Sequence, residues 1–334
     1  MTVQDFLTKT RQRYQDTTVG RATYYTASDA VFGLQRKISP DFGLGQAVWE
    51  KDWDILVVLD ACRVDLFQQA CHGRDWLPAP DSVGSMWSLG TASPEWIGRT
   101  FNRRQYGEEM ASTAYLTLNP FSSKPGERAE GAPDHALPLR DDDFAVLDEV
   151  WKQQASTSDP IERWRPRQLT DRAIRAWRDR GELGVNRMVV HYMQPHIPFR
   201  SRPEWFGSRE NLRVFGEPGR ENRKDAWKKV RDGEIDRGEF WTAYLDNLDW
   251  VLDDVELLRE NATGEIALSA DHGNAVGEYG SWGHKVGTVI PEVRRVPWVV
   301  VSGRDSGAYT PDVVGGDSAG GVGVDEQLAA LGYR

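Results

Sequence analysis

The sequence predicts an α/β fold with a central, largely parallel sheet and helices on both faces. Continuous apolar runs of strand length (ILVVL at 55–59, MVV at 188–190, EIAL at 265–268, WVVV at 298–301) alternate with segments of helical periodicity. Unbroken apolarity, rather than alternation, is what a strand covered on both faces requires. The first three runs each lead into a residue able to do chemistry: Asp60, His191 and Asp271. In open α/β sheets ligands bind beyond the carboxyl ends of the strands, so these three side chains are expected at one edge of the sheet.

The 334 residues leave room for one large domain or two small ones. Residues 1–50 read as an N-terminal helical extension, with a polar helix over about 4–16, and 51–334 as the main domain. WDILVVLDACRVDLFQQA gives a buried strand, Ile55–Leu59, that ends at Asp60 and runs into a helix. Residues 82–101 read as a loop entering a helix, with Ser93 as N-cap, Pro94 at the first helical position and Glu95 in the first turn. Pro, Gly and Asp over 119–143 predict a long surface loop, and helical patterns follow at 143–155 and 168–181. The strand NRMVVHYM leads into QPHIPF. Residues 200–237 are polar and heavily charged, an insertion or lid, or a plain solvated excursion. EFWTAYLDNLDWVLDDVELLRE is an amphipathic helix, EIALSA and RRVPWVVVSG are strands, and EQLAALGY is a short terminal helix.

Net charge is −10 and the pI near 5.2, which argues against sequence-independent nucleic-acid binding, because phosphate contacts need a basic surface. Cys62 and Cys71 make no disulfide framework and no CxxC pair. The N-terminus is charged throughout, and no stretch approaches the ~18 apolar residues of a membrane span, so a soluble, cytoplasmic protein without an integral membrane segment is expected.

Four of the six histidines fall in two motifs, HYMQPHIPF and SADHGNAVGEYGSWGHK. His72 and His135 have no such context and read as surface residues. In Asp271-His272-Gly273 the glycine permits a sharp turn, so that the carboxylate and imidazole face one pocket as ligands; the alternative is a turn beside a satisfied histidine. Asp60 is a third ligand or a turn former. A divalent metal held by Asp60, Asp271 and His272 wants a further oxygen, and Thr91 and Ser93 in GTASPEW both stand just before a helix N-terminus, where an oxyanion is favoured. Metal coordination can activate such an alcohol near neutral pH. Ser93 already reads as an N-cap on the substrate side, so Thr91 is favoured as nucleophile and ligand. His196 and His284 are candidates to bind the transferring group or protonate the leaving oxygen. Lys285, Arg63 and His191 are candidates to contact substrate, with a salt bridge as the alternative for Arg63. The metal is Mn, Mg, Ca or Zn, as a single ion; a second site built from His191, His196 and His284 is the two-metal alternative.

VVLDACR, HYMQPHIPF, SADHGN and GHK followed by RRVPWVVV resemble, in order and spacing over roughly residues 50–303, the core motifs of the sulfatase-like branch of the alkaline phosphatase superfamily. The resemblance implies an alkaline-phosphatase-like, mixed, largely parallel central sheet and metal-assisted phosphoryl or sulfuryl transfer through an enzyme-bound intermediate. Asp60, Asp271 and His272 match its metal-ligand positions, His196 its substrate-binding histidine, and Lys285 falls near its late basic residue. The family's formylglycine motif CxPxR is absent: Ala92 stands in the Cys slot and Trp96 in the Arg slot. Asp60 is followed by Ala61 rather than a second Asp, an arrangement closer to the lipoteichoic acid synthase and phosphoethanolamine transferase relatives with their Thr nucleophile. The expected activity is therefore a metal-dependent hydrolase or transferase of phosphate esters acting through Thr91 on a small-molecule, glycan or lipid ester, with sulfate esters second. The alternative is an inactive relative that binds a phosphorylated or sulfated glycan or lipid headgroup.

Overall fold

A computed structural model describes residues 45–123, 139–152, 164–206 and 226–312, with isolated positions between 7 and 30 and at 161. The expected helix over 4–16, most of the 119–143 loop with His135, residues 207–225 and the terminal helix fall largely or wholly outside the described residues. The strands are β1 (Ile55–Leu59), β2 (Gly84–Trp87), β3 (Thr113–Thr117), β4 (Val146–Glu149), β5 (Arg187–Tyr192), β6 (Asn261–Ser269), β7 (Ala275–Val276), β8 (Trp282–Gly283) and β9 (Arg295–Asp305). The helices that frame the site are α1 (Val64–Ala70), α2 (Ser93–Thr100), α3 (Arg103–Ala111), α4 (Pro166–Arg178), α5 (Arg237–Glu260) and α6 (Pro291–Arg294).

Seven strands join in the order β2-β9-β6-β1-β5-β3-β4, while β7 and β8 form a separate hairpin. β1 pairs in parallel with both β5 and β6, and β3 pairs in parallel with β5 and β4. β9 runs antiparallel to β6 and β2. The sheet is thus mixed and mostly parallel. All five residues of β1 are buried, as the run ILVVL requires of a strand with helices on both sides. His191 faces α2 through a ring contact with Trp96, and Tyr115 meets Phe101 just past the end of that helix. Tyr192 points the other way and hydrogen-bonds Thr170 of α4. Val48 and Trp49, just ahead of residue 51, pack into the same core.

Two local expectations are corrected. Of the helix expected over 143–155, the described residues up to 152 form strand β4 and a short 3-10 turn at Val150–Lys152, because Val146 and Leu147 complete the sheet edge against Ala114 and Tyr115. The loop expected ahead of Ser93 contains β2, whose four residues carry little signal of their own and are ordered by antiparallel pairing with β9. No helix among the described residues is long and apolar enough to cross a membrane.

The central place of β1 is checked by truncation. Leu56→Ala, in its fully buried core, should cost about 2–5 kcal/mol. Val300→Ala on the open face of β9, where the side chain is 43% exposed, should stay within about 0.5 kcal/mol. Urea titration of the two variants reads the contrast, and equal losses would contradict this strand order.

Candidate metal centre and nucleophile

Parallel pairing brings Asp60, His191 and Asp271 to the same edge of the sheet, and the register aligns Val58 with Ser269, two residues before each aspartate. Ala61 follows Asp60 in the left-handed region (φ 63°), unusual for a residue with a Cβ. That turn lets its N–H donate to Asp271 Oδ1 at 3.0 Å, tying the ends of β1 and β6 together. The His272 N–H donates to the same oxygen at 2.8 Å. Gly273 is required by close approach: a Cβ there would lie 2.1 Å from the Glu292 carbonyl oxygen, while its N–H donates to Val293.

Four buried atoms are left over. Asp60 Oδ1, Asp271 Oδ2, His191 Nε2 and His272 Nε2 have no hydrogen-bond partner. His272 Nε2 lies 3.4 Å from Asp271 Oδ2 and 3.7 Å from Asp60 Oδ1, and His191 Nε2 lies 3.8 Å from Asp271 Oδ2. Asp60, His191 and Asp271 each offer a ligand atom within 4.8 Å of the others. Ligands held about 2.0–2.1 Å from a tetrahedral metal are separated by about 3.3 Å, near the 3.4–3.8 Å of the three carboxylate–imidazole pairs. The remaining contacts orient the ligands. Asp60 Oδ2 accepts from Asn119 Nδ2 at 2.9 Å and from Ser93 Oγ at 3.2 Å. His272 Nδ1 donates to the Gly273 carbonyl at 2.9 Å, which leaves the lone pair on Nε2. His191 Nδ1 meets Tyr115 Oη at 3.0 Å, and donation in that direction does the same for its Nε2.

The electrostatics also call for a cation. Burial, and then repulsion from Asp271, raise the Asp60 carboxyl well above its ordinary range, although the Ser93 and Asn119 hydrogen bonds pull it partly back. Burial opposes charge on Asp271 as well, but His272, His191 and the Ala61 N–H together bring its carboxyl below the ordinary value. Burial lowers His191 to about 4 and His196 to about 4, so both rings are neutral at physiological pH.

The candidate residues divide into those brought together and those placed elsewhere. Asp60, Asp271 and His272 share the cluster, and His191, expected to contact substrate or a second ion, joins them. His284 stacks near His272 (ring centroids 4.2 Å) and near His196 (5.3 Å). Its Nδ1 donates to Asn274 Oδ1 at 2.7 Å, and His196 Nδ1 donates to Ile197 O at 2.7 Å. Ser93 Oγ reaches the cluster. Thr91 Oγ1 does not: it donates to Glu95 Oε2 at 2.8 Å and accepts the Gly287 N–H at 2.7 Å. Arg63 is engaged with Asp65 at 2.6 Å, Glu278 at 3.0 Å and the Asn274 carbonyl at 2.8 Å, so it braces the β7–β8 hairpin instead of presenting a cation to substrate. Lys285 is half-buried in the turn after His284, with its carbonyl accepting the Thr288 N–H.

Several further residues line the site. Asn119, at the start of the segment whose composition predicts a surface loop, is buried against Asp60; its position just after the run AYLTL is the signal the sequence offers. Tyr115, Asn274 and Glu95 act on other side chains, and no local pattern distinguishes them from ordinary core or cap residues.

A divalent ion held by these four atoms should stabilise the fold by about 2.7 kcal/mol at a hundredfold excess over its Kd. His191→Gln should weaken ion binding at least about tenfold, which calorimetric titration of the metal-stripped protein measures. Binding by the variant at wild-type affinity would remove His191 from the ligand set.

No protein-family model matches the chain, and no curated protein matches it. Solved structures similar to it include the soluble domain of lipooligosaccharide phosphoethanolamine transferase A from Neisseria meningitidis, at 13% identity over 75% of this chain and 76% of that one, with a TM-score of 0.43. A second is the C-terminal periplasmic domain of phosphoethanolamine transferase EptC from Campylobacter jejuni, at 13% identity over 74% and 78%, with a TM-score of 0.40. A third is the C-terminal periplasmic domain of EcEptC from Escherichia coli in complex with Zn, at 11% identity over 78% and 76%, with a TM-score of 0.40.

Proposed function

We propose that the chain is a metal-dependent transferase or hydrolase of phosphate esters in which Ser93 supplies the attacking hydroxyl. The observation that carries this reading is the convergence of four unpartnered buried atoms, from Asp60, His191, Asp271 and His272, beside a hydroxyl at a helix N-terminus. Two carboxylates with two imidazoles suit Zn or Mn better than the oxygen-seeking Ca or Mg. A bound divalent ion would polarise an ester oxygen and lower the pKa of an adjacent alcohol.

The chain's own residues do the rest. Asp60 Oδ2 receives the Ser93 hydroxyl and fixes its direction. Ser93 opens α2, and first-turn N–H groups lie outside a helix's own hydrogen-bond ladder, so the same turn attracts an anionic ester. His196 and His284 both carry their proton on Nδ1, tied to an oxygen acceptor, and burial holds both rings neutral. We assign to these two neighbouring neutral rings, with centroids 5.3 Å apart, the transfer of the Ser93 proton to the leaving oxygen. Thr91, with its hydroxyl shared between Glu95 and Gly287, has no such geometry.

The test is a screen of phosphate monoesters, phosphodiesters and sulfate esters with Zn or Mn, comparing wild type with Ser93→Ala. Turnover of a phosphate ester should fall at least roughly 1,000-fold in the variant, with metal affinity retained. A fully active Ser93→Ala would remove Ser93 as nucleophile. A metal-loaded wild type that binds such esters without turning any over would favour a binding protein instead.

A further inference from the structure

Thr91 lies two residues from the proposed nucleophile, fully buried, and its polar atoms are committed. Both its N–H and its hydroxyl donate to Glu95 Oε2, each at 2.8 Å. With the hydroxyl proton directed at the carboxylate, an oxygen lone pair faces away and receives the Gly287 N–H at 2.7 Å. Glu95 is itself buried and held from its other oxygen by Arg99 at 3.1 Å. Gly287 closes a short strap that begins at Gly283, and both glycines are left-handed (φ 73° and 75°). The strap carries His284 and Lys285, and Arg294 pins its far side through the Thr288 carbonyl at 2.8 Å.

We propose that Thr91 is a positioning residue: it latches the Gly283–Gly287 strap to the start of α2, so that His284 and the Ser93 hydroxyl are held in fixed relation over the metal cluster. This rests on the reading that Ser93 attacks. Glu95 sets the rotamer of the latch, since an anionic acceptor fixes the hydroxyl direction more firmly than a neutral one. One short hydrogen bond thereby couples the loop that carries a proton-transfer histidine to the helix that carries the nucleophile. A loop that closes over a reacting group acts mainly on kcat, because alignment and not ground-state affinity is what it supplies.

The experiment compares Thr91→Val, Thr91→Ser and Glu95→Gln by two readouts. One is amide exchange at Gly287, followed by NMR or on peptides spanning 284–290; the other is kcat and KM with the best phosphate ester from the screen, bis(p-nitrophenyl) phosphate to begin with. Thr91→Val should speed Gly287 exchange roughly tenfold and lower kcat up to about 100-fold with little change in KM. Thr91→Ser, which keeps the hydroxyl, should restore both. Glu95→Gln covers the case in which the Val variant does not fold, and it too should speed Gly287 exchange. Unchanged Gly287 exchange in the Val and Gln variants would overturn the latch, as would a Ser variant as defective as Val. An inactive Val variant with Gly287 still protected, beside a fully active Ser93→Ala, would make Thr91 the nucleophile and overturn both readings. Absence of turnover by wild type would sink the ester-transfer reading alone, and the exchange measurement would still decide the latch.

Discussion

Asp60 and Asp271 are buried side by side at the ends of adjacent parallel strands, and the site is organised around that repulsion. The pairing of β1 with β6 fixes their separation, since the register that sets Val58 opposite Ser269 carries both chains on to an aspartate two residues later. Neighbouring strands lie about 4.8 Å apart, so the two carboxylates cannot separate without breaking the ladder. Uncompensated, two buried charges at that distance would cost the fold several kcal/mol. The structure compensates one oxygen of each. Asp271 Oδ1 takes two backbone N–H groups, and Asp60 Oδ2 takes Asn119 and Ser93. The other two oxygens face His191 and His272, so the unsatisfied part of the aspartate pair is gathered into one small volume.

The stability of the sheet and the chemistry of the site thus share a cause. A cation in that volume would satisfy at once the four unpartnered atoms gathered at this site. Burial, and then repulsion from Asp271, raise the Asp60 carboxyl well above its ordinary range. The strained Ala61 belongs to the same arrangement. Its left-handed backbone turns the chain so that the N–H meets Asp271, and backbone strain of this kind persists where the surroundings over-determine it.

Most of the sheet and most of the metal cluster were legible in the sequence because both follow from short-range rules. ILVVL, MVV and EIAL read as buried strands, and their carboxyl ends name Asp60, His191 and Asp271 without any tertiary information. β2 and β4 were not legible: each is a four-residue strand ordered by its pairing partner and not by its own pattern. The role of His191 needed three dimensions as well. A histidine on a buried strand is equally compatible with a substrate contact, and its 3.8 Å approach to Asp271 Oδ2 and its bond to Tyr115 appear only in the folded chain.

The stretch GTASPEW shows where reading by residue type stops. Thr91 and Ser93 are both alcohols just ahead of a helix, and spacing alone cannot rank them. The ranking comes from the neighbours. Gly90 allows the turn to press against Trp96, where a Cβ would lie 2.5 Å from the Trp96 nitrogen. That contact, with Glu95 folding back on the Thr91 N–H and hydroxyl, turns Thr91 towards Gly287. Ala92 stays extended, and Pro94 follows Ser93 at the start of the helix, which leaves the Ser93 hydroxyl directed at Asp60. A buried carboxylate four residues downstream thus decides which of the two hydroxyls faces the metal cluster, and in a sequence that carboxylate looks like an ordinary first-turn helix residue.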